Sequence, residues 1–267
     1  MRVVALLAIR DEELYLTRCL QHLYEQGIET CIIDNCSSDR TLEIARSFLK
    51  RGVFRIDSLP YNGFFELKEQ LCYKEHLAAE IDADWFMHHD ADEIREAPKP
   101  YKTLLEGIES VDRQGYNAIN FDEFVFIPTK EDGSFEGKDY VKEMKYYYFF
   151  ERKPMTQIKA WKKSAKPVSL AKSGGHQVDF EGRKVFLVNF ILRHYPALSR
   201  RHLVEKYSGR VYSEKEVNGR SWHKDKAGFD PRRIALPKKE QLKEINDKGI
   251  WDISDPYDKY KFIGFTE

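Results

Sequence analysis

No stretch of this 267-residue chain stays apolar for long, and neither sign of charge is in excess. A bilayer-crossing helix needs about 20 consecutive apolar residues. The nearest candidate, MRVVALLAIRDEE, breaks off at Asp11, Glu12 and Glu13. It also lacks a small-residue cleavage site, so it reads as a buried strand, and a cytoplasmic location is expected. With 44 acidic against 44 basic residues, no global field draws the chain to nucleic acid or to an anionic membrane. Cysteine is scarce. Cys19, Cys31, Cys36 and Cys72 all fall in the first third and form no C-x-x-C pair. They read as free thiols of a reducing compartment, against a disulfide framework or a zinc site. Internal repeats and low-complexity linkers are missing too. So is a glycine-rich phosphate loop after the first apolar run.

What is present is a globular composition, 42% hydrophobic and 33% charged. Residues 3–9 form a continuous apolar run suited to a strand buried on both faces. Leu14, Leu16, Leu20 and Leu23 follow near helical spacing, and Gly27 ends that helix. Strands are expected again at 30–33, 53–56 and 84–88. Helices separate them, from about 41 and from about 65 to 80, with Asp39 as a cap for the first of these. Strands alternating with helices imply βαβ units and a parallel sheet. Beyond residue 96 the pattern becomes mixed: a helix over 101–111, strands over 118–127, 145–151 and 184–192, a hairpin or an exposed loop over 129–138, and mostly polar helix from 199 with a looser tail past Gly219. One domain is expected, with residues 1–95 and 96–267 as its two halves.

In parallel sheets, ligands bind beyond the carboxyl ends of the strands. Three polar loops fall there: Arg10-Asp11-Glu12, residues 34–39, and residues 89–93 within HHDADEI. Acids packed that densely repel one another unless the run is solvated or something positive lies among them. Asp90-Ala91-Asp92, read as extended, puts two carboxylates on one side, because side chains alternate with period two. Two hard oxygen donors at that spacing suit Mg²⁺ or Mn²⁺, with phosphates and water completing the shell. A lone D-x-D also occurs in solvated loops; its place at the ligand edge is what raises it. Asp39 and Thr41 need be no more than a turn and a cap. Asp34, ending a buried strand, is placed to accept a hydrogen bond from a ligand such as a base imide.

The order AIRDEE, IIDNCSSDRT, YNGFF and WFMHHDADE resembles the family-two glycosyltransferases of the GT-A fold, over roughly residues 2 to 95. The Asp-x-Asp-Glu and the later His194-Tyr195-Pro196 resemble one branch of that family. The resemblance implies an α/β GT-A fold with a Rossmann-like nucleotide-binding half and a mixed α+β acceptor half. It implies transfer of a sugar, with inversion, from a UDP-, GDP- or dTDP-sugar to a glycan or lipid-linked acceptor in glycan or surface polysaccharide synthesis. The protein would be cytoplasmic or peripheral at the inner membrane face. Asp34 would contact the base, Asp90 the ribose or the metal, and Asp92 the Mn²⁺ or Mg²⁺ that bridges the diphosphate. Asp11 stands where Asn is commoner and Cys36 where Gly is commoner. Arg10 either faces a phosphate or pairs with Asp11 or Glu12.

The resemblance implies a further metal ligand, commonly His, from a loop in the second half; His194, at a strand end, fits, and His176 and His223 are its rivals. His22, His76 and His202 fall on helices and read as surface residues, and of His88 and His89 one should face the core. Inverting transfer needs a general base. Asp122 and Glu123 are the candidates, with Glu93 and Asp179 behind them. The basic run over 152–166, including Lys159, reads as a solvated face or as a steering surface for an anionic acceptor. Within it, Trp161 either stacks on a sugar or packs inside. Two other classes stay open: a sugar-nucleotide nucleotidyltransferase, and a non-catalytic sugar-binding protein on a degenerate fold.

Overall fold

The computed structural model describes residues 1–151, 153, 156–217, 230–246 and 250–259. His223 and Arg152 lie outside them. In chain order the elements are β1 (Val3–Ile9), α1 (Glu13–Glu25), β2 (Glu29–Asp34), α2 (Thr41–Ser47), β3 (Val53–Ser58), α3 (Leu67–Glu80), β4 (Trp85–His89), β5 (Glu93–Glu96), α4 (Leu104–Arg113), β6 (Ala118–Phe126), α5 (Tyr140–Glu143), β7 (Tyr146–Phe150), β8 (Ile158–Lys162), β9 (Phe190–His194), α6 (Arg200–Ser208), α7 (Glu214–Val217) and β10 (Lys243–Glu244). They form two compact units. The first is Met1–Phe121 with Met155–Leu192; the second is Asp122–Pro154 with Arg193–Glu267.

In the first unit the expected parallel sheet is present. β2 lies between β1 and β3, and β4 joins the other side of β1, all parallel. Beyond β4, β8 runs antiparallel to it, and the start of β6 antiparallel to β8. The apolar runs VVALLAI and WFMHH are buried along their length, as central strands covered on both faces require. Register fixes the ligand edge: Ile9 pairs Asp34, Asp34 pairs Ser58, and Leu7 pairs His89. The loops after β1, β2 and β4 therefore leave the sheet side by side. α1 buries Tyr15, Leu16, Cys19, Leu20 and Leu23. Leu14, expected on that face, points outward at the first turn. His22 is a correction: it is buried, and its Nε2 meets Arg95 O at 2.7 Å.

Two strands of this unit, β5 and β8, were not anticipated, because four- and five-residue strands rich in charge carry no period-two signal. The strand expected over 184–192 begins only at Phe190. Residues before it are irregular, and Leu187 and Val188 are exposed.

In the second unit the remainder of β6 pairs antiparallel with β7, setting Phe124 opposite Phe149 and Phe126 opposite Tyr147. Val125, Tyr148, Phe150, Ala197, Leu203, Tyr207 and Ile234 form its core. Phe124 stacks on Trp251 at 4.4 Å on the other side. The Ser199 hydroxyl accepts the His202 N–H and caps α6. Among the described residues no helix is long and apolar enough to cross a membrane. The four cysteines are free thiols, as expected.

Gly107 shows how tightly α4 is seated. A Cβ there would lie 2.8 Å from the Ala97 Cβ and 3.0 Å from the Phe190 ring. Alanine in place of a helical glycine normally stabilises by about 0.5–1 kcal/mol. Gly107→Ala should instead destabilise the protein by about 1–3 kcal/mol through overpacking. Urea denaturation reads the sign; a more stable variant would refute this packing.

Candidate functional site

The loops after β1 and β2 are one hydrogen-bonded block. Asp11, held at φ 54°, accepts the Ser38 N–H at 2.6 Å and the Ser38 hydroxyl at 3.1 Å. Its own N–H donates to the Ser37 hydroxyl. The first turn of α1 has no cap from its own chain end. Thr41 accepts the Glu12 N–H at 2.7 Å and Asp39 accepts the Glu13 N–H at 3.2 Å. The other Asp39 oxygen accepts the Thr41 N–H at 2.8 Å, so one carboxylate serves the starts of both α1 and α2.

Asp34 ends β2 in a buried position. Its Oδ1 accepts the Ser37 hydroxyl at 2.6 Å, while Oδ2 has only a 3.4 Å contact with the Ser37 N–H. Asn35 beside it donates to the Leu59 and Pro60 carbonyls, both at 3.0 Å, tying the loop after β3 to this block. Arg10 donates to the Asn35 and Cys36 carbonyls, lies 3.6 Å from Asp11, and stacks its guanidinium 3.5 Å from the centre of the Tyr61 ring. Its charge is thus spread over a loop wall. Cys36 adopts φ 55°, the left-handed region that favours glycine.

Asp90-Ala91-Asp92 is a turn between β4 and β5, closed by the Glu93 N–H on the Asp90 carbonyl at 3.1 Å. This corrects the extended reading, so period-two alternation does not set the carboxylate directions. Beneath the turn lies a buried charged cluster that the sequence reading missed. Lys74, from α3, donates to His88 Nδ1 at 2.8 Å and to the His89 carbonyl at 3.1 Å, and stands 3.9 Å from Asp90 Oδ1. Lys159, from β8, donates to Glu93 at 2.6 Å and stands 3.8 Å from Asp90 Oδ2. Arg95 also donates to Glu93. The solvated reading of Lys159 is therefore overturned, since it is 6% exposed. Trp161 is fully buried against Phe86 and offers no face to a sugar.

A signal for both lysines existed. Lys74 shares helical spacing with Leu71, Leu77 and Ala78, the buried face of α3. Lys159 stands among Ile158, Ala160 and Trp161, all buried.

Both His88 and His89 are buried, where one was expected to be. Burial, then the nearby Lys74 charge, holds His88 neutral. With Nδ1 accepting from Lys74, its proton sits on Nε2, 3.9 Å from Asp90 Oδ2. A Cβ on Gly175 would come within 3.0 Å of that nitrogen. Burial, then Arg95, keeps His89 neutral, and among the described residues neither of its ring nitrogens has a hydrogen-bond partner. Burial works against ionising Asp90, yet His88, Lys159 and Lys74 together hold its carboxyl well below the usual range. Since His88 is neutral, the two ammonium groups supply that field. The Asp90 side chain keeps 45% of its surface exposed, so it faces solvent as well as the cluster.

Hard carboxylate oxygens on Asp90 and Asp92 suit Mg²⁺ or Mn²⁺. Among the described residues no three His, Cys, Asp or Glu side chains gather to hold a metal. Two carboxylates alone would leave such a cation to complete its shell from other ligands.

In the second unit, Glu123 is buried and its Oε1 lies 2.7 Å from His194 Nδ1. That bond to a carboxylate sets the ring's tautomer and orientation. Asp122, its neighbour on β6, is half-buried. Of the weaker candidates, Glu93 is committed to Lys159 and Arg95, and Asp179 pairs with Lys172 at 2.9 Å. His176 is half-buried.

Burial pulls the Lys74 amine down to about 8 from an ordinary 10.5, with Asp90 opposing. Between those values the unfolded chain binds more protons than the native one, so stability attributable to Lys74 rises with pH. Below pH 8 the amine is charged in both states and the burial cost is carried in full. Wild type should gain roughly 2–3 kcal/mol on Lys74→Met between pH 7.5 and 10.5. Paired urea titrations measure this; a constant difference would contradict the assignment.

Residues 5–66 match the family model described as Glycosyl transferase family 2. No curated protein sequence matches the chain. Among solved structures, the chain is similar to S. aureus TarS 1-349 in complex with UDP at 12% identity, with a TM-score of 0.44, covering 78% of this chain and 63% of that one. Another is glucosyl-3-phosphoglycerate synthase from Mycobacterium tuberculosis in complex with Mn²⁺, UDP and phosphoglyceric acid, at 16% identity and TM-score 0.28, covering 49% and 44%. A third is UDP-glucose pyrophosphorylase complexed with UDP-glucose, at 11% identity and TM-score 0.31, covering 67% and 73%. The chain thus spans less than two thirds of the length of the first two.

Proposed function

We propose that the chain is a glycosyltransferase of the GT-A type, moving a sugar from a nucleoside-diphosphate sugar to an acceptor hydroxyl. The observation that carries this reading is the placement of Asp34 and the Asp90-Ala91-Asp92 turn at one edge of a parallel sheet, fixed by the pairings Ile9 with Asp34 and Leu7 with His89. The family match over residues 5–66 contains Arg10, Asp11 and Asp34 and supports it.

In this reading Asp34 Oδ2 accepts from the nucleobase, and the Arg10–Tyr61 stack walls the base side of the crevice. Asp90 and Asp92 hold Mn²⁺ or Mg²⁺. When bound, that ion neutralises charge on the leaving diphosphate. Asp90 arrives at its task already ionised, because Lys74 and Lys159 stand within 4 Å of its oxygens. Glu123 and Asp122 are the proton acceptors for the attacking hydroxyl, which would invert the anomeric centre. Glu123 also orients His194, the proposed imidazole ligand. The donor is a UDP-, GDP- or dTDP-sugar and the acceptor a glycan or lipid-linked glycan of a surface polysaccharide.

Calorimetric titration of UDP, GDP, dTDP and CDP, each with and without Mn²⁺, tests the donor site. One diphosphate should bind in a metal-dependent way. Asp92→Ala should lose that binding and the activity while unfolding at the wild-type temperature. Full activity in that variant would sink the assignment. For the base, Glu123→Gln should cut turnover by roughly 10²–10⁴-fold at saturating Mn²⁺ and donor, beyond the roughly 10- to 100-fold loss of metal affinity expected from releasing His194. Unaltered turnover would move the role to Asp122.

A further inference from the structure

The basic run of the sequence separates in space. Lys162 pairs with Asp112 at 2.8 Å and Lys166 with Glu181 at 3.5 Å, both lysines half-exposed or more. Among the described residues of the run, Lys159 alone turns inward, to Glu93 and Asp90. Glu93 already has a buried cationic partner in Arg95. Taking a second ammonium out of water costs several kcal/mol unless its geometry returns that free energy. Neutralising Glu93 does not require it.

The unexplained contact is with Asp90. Lys159 faces Oδ2 from 3.8 Å while Lys74 faces Oδ1 from 3.9 Å, so the carboxylate is held between two cations delivered by different elements, β8 and α3. The Glu93 bond anchors the Lys159 ammonium at 2.6 Å, and Glu93 is the residue directly after the turn. Any shift of the turn therefore moves the anchor and the carboxylate together.

We propose that Lys159 is a positioning residue of the donor site: anchored by Glu93, its ammonium sets the orientation of the Asp90 carboxylate toward a nucleoside diphosphate. This rests on the donor-site reading above. Its content beyond that reading is that a residue about seventy positions downstream of the turn, on an antiparallel strand, tunes donor affinity without touching the donor.

The test uses the diphosphate that wild type binds in the panel of UDP, GDP, dTDP and CDP with Mn²⁺. Affinity and unfolding temperature are measured for Lys159→Met, Lys159→Arg, Glu93→Gln and the double variant Lys159→Met/Glu93→Gln. Lys159→Met strands no charge on itself but leaves Glu93 with Arg95 alone; the double variant removes that burden and stands in if the single one folds poorly. Lys159→Met should weaken binding roughly tenfold or more. The double variant should recover thermal stability but not affinity, and Lys159→Arg should recover part of the affinity. Wild-type affinity in the double variant would overturn the proposal, because Lys159 would then serve only to neutralise Glu93. Wild-type affinity in Lys159→Met would overturn it equally. A wild type that binds no diphosphate would remove the donor site itself, and that arm is read first.

Discussion

Acidic side chains crowd the turn after β4, and mutual repulsion would open it if they faced one another unaided. Asp90, Asp92 and Glu93 lie within four residues. The counter-charges come from three other places: Lys74 on α3, Lys159 on β8 and Arg95 on β5. These three cations meet two of the carboxylates, Asp90 and Glu93, before any ligand arrives. At contacts of 2.6 to 3.9 Å in a poorly solvated setting, the attraction is screened far less than at the surface. Breaking such a buried pair typically costs about 3–5 kcal/mol. The cluster thus ties α3, β4, β5 and β8 into one support beneath the turn.

That support explains how the first unit combines a rigid sheet with an acidic edge. The strands VVALLAI and WFMHH bury apolar surface on both sides and hold the register. The loops at their ends are then stiffened by reciprocal hydrogen bonds: Asp11 with Ser38, Asp39 with the starts of two helices, Asn35 with the carbonyls of the next loop. Side chains that look like ligand contacts in the sequence carry much of this scaffolding. Such a preorganised edge can present carboxylates to a cation with little reorganisation on binding.

The Glu123–His194 pair follows the same logic within the second unit. A buried carboxylate next to an imidazole fixes the ring's tautomer and orientation, whether the ring meets a cation or a proton. In the β6–β7 register Glu123 stands opposite Phe150, which places the carboxylate on a paired strand.

By itself the sequence determined the βαβ order of the first ninety residues, the polar loops at the strand ends and the identity of the acids there. Apolar runs and helical spacing are local signals, and a parallel sheet converts them into a shared edge. It also marked His194 at a strand end and Glu123 on β6. Only the tertiary structure decided that Lys159 and Lys74 turn inward, that His22 is core, and that Asp90-Ala91-Asp92 is a turn. The apolar neighbours of Lys159 are a local hint of its burial, but the carboxylate that it meets across the sheet has no local sign. Lys159 and Glu93 are 66 residues apart and meet at 2.6 Å. Charge pairing of that kind is a property of strand order, which no window along the chain contains.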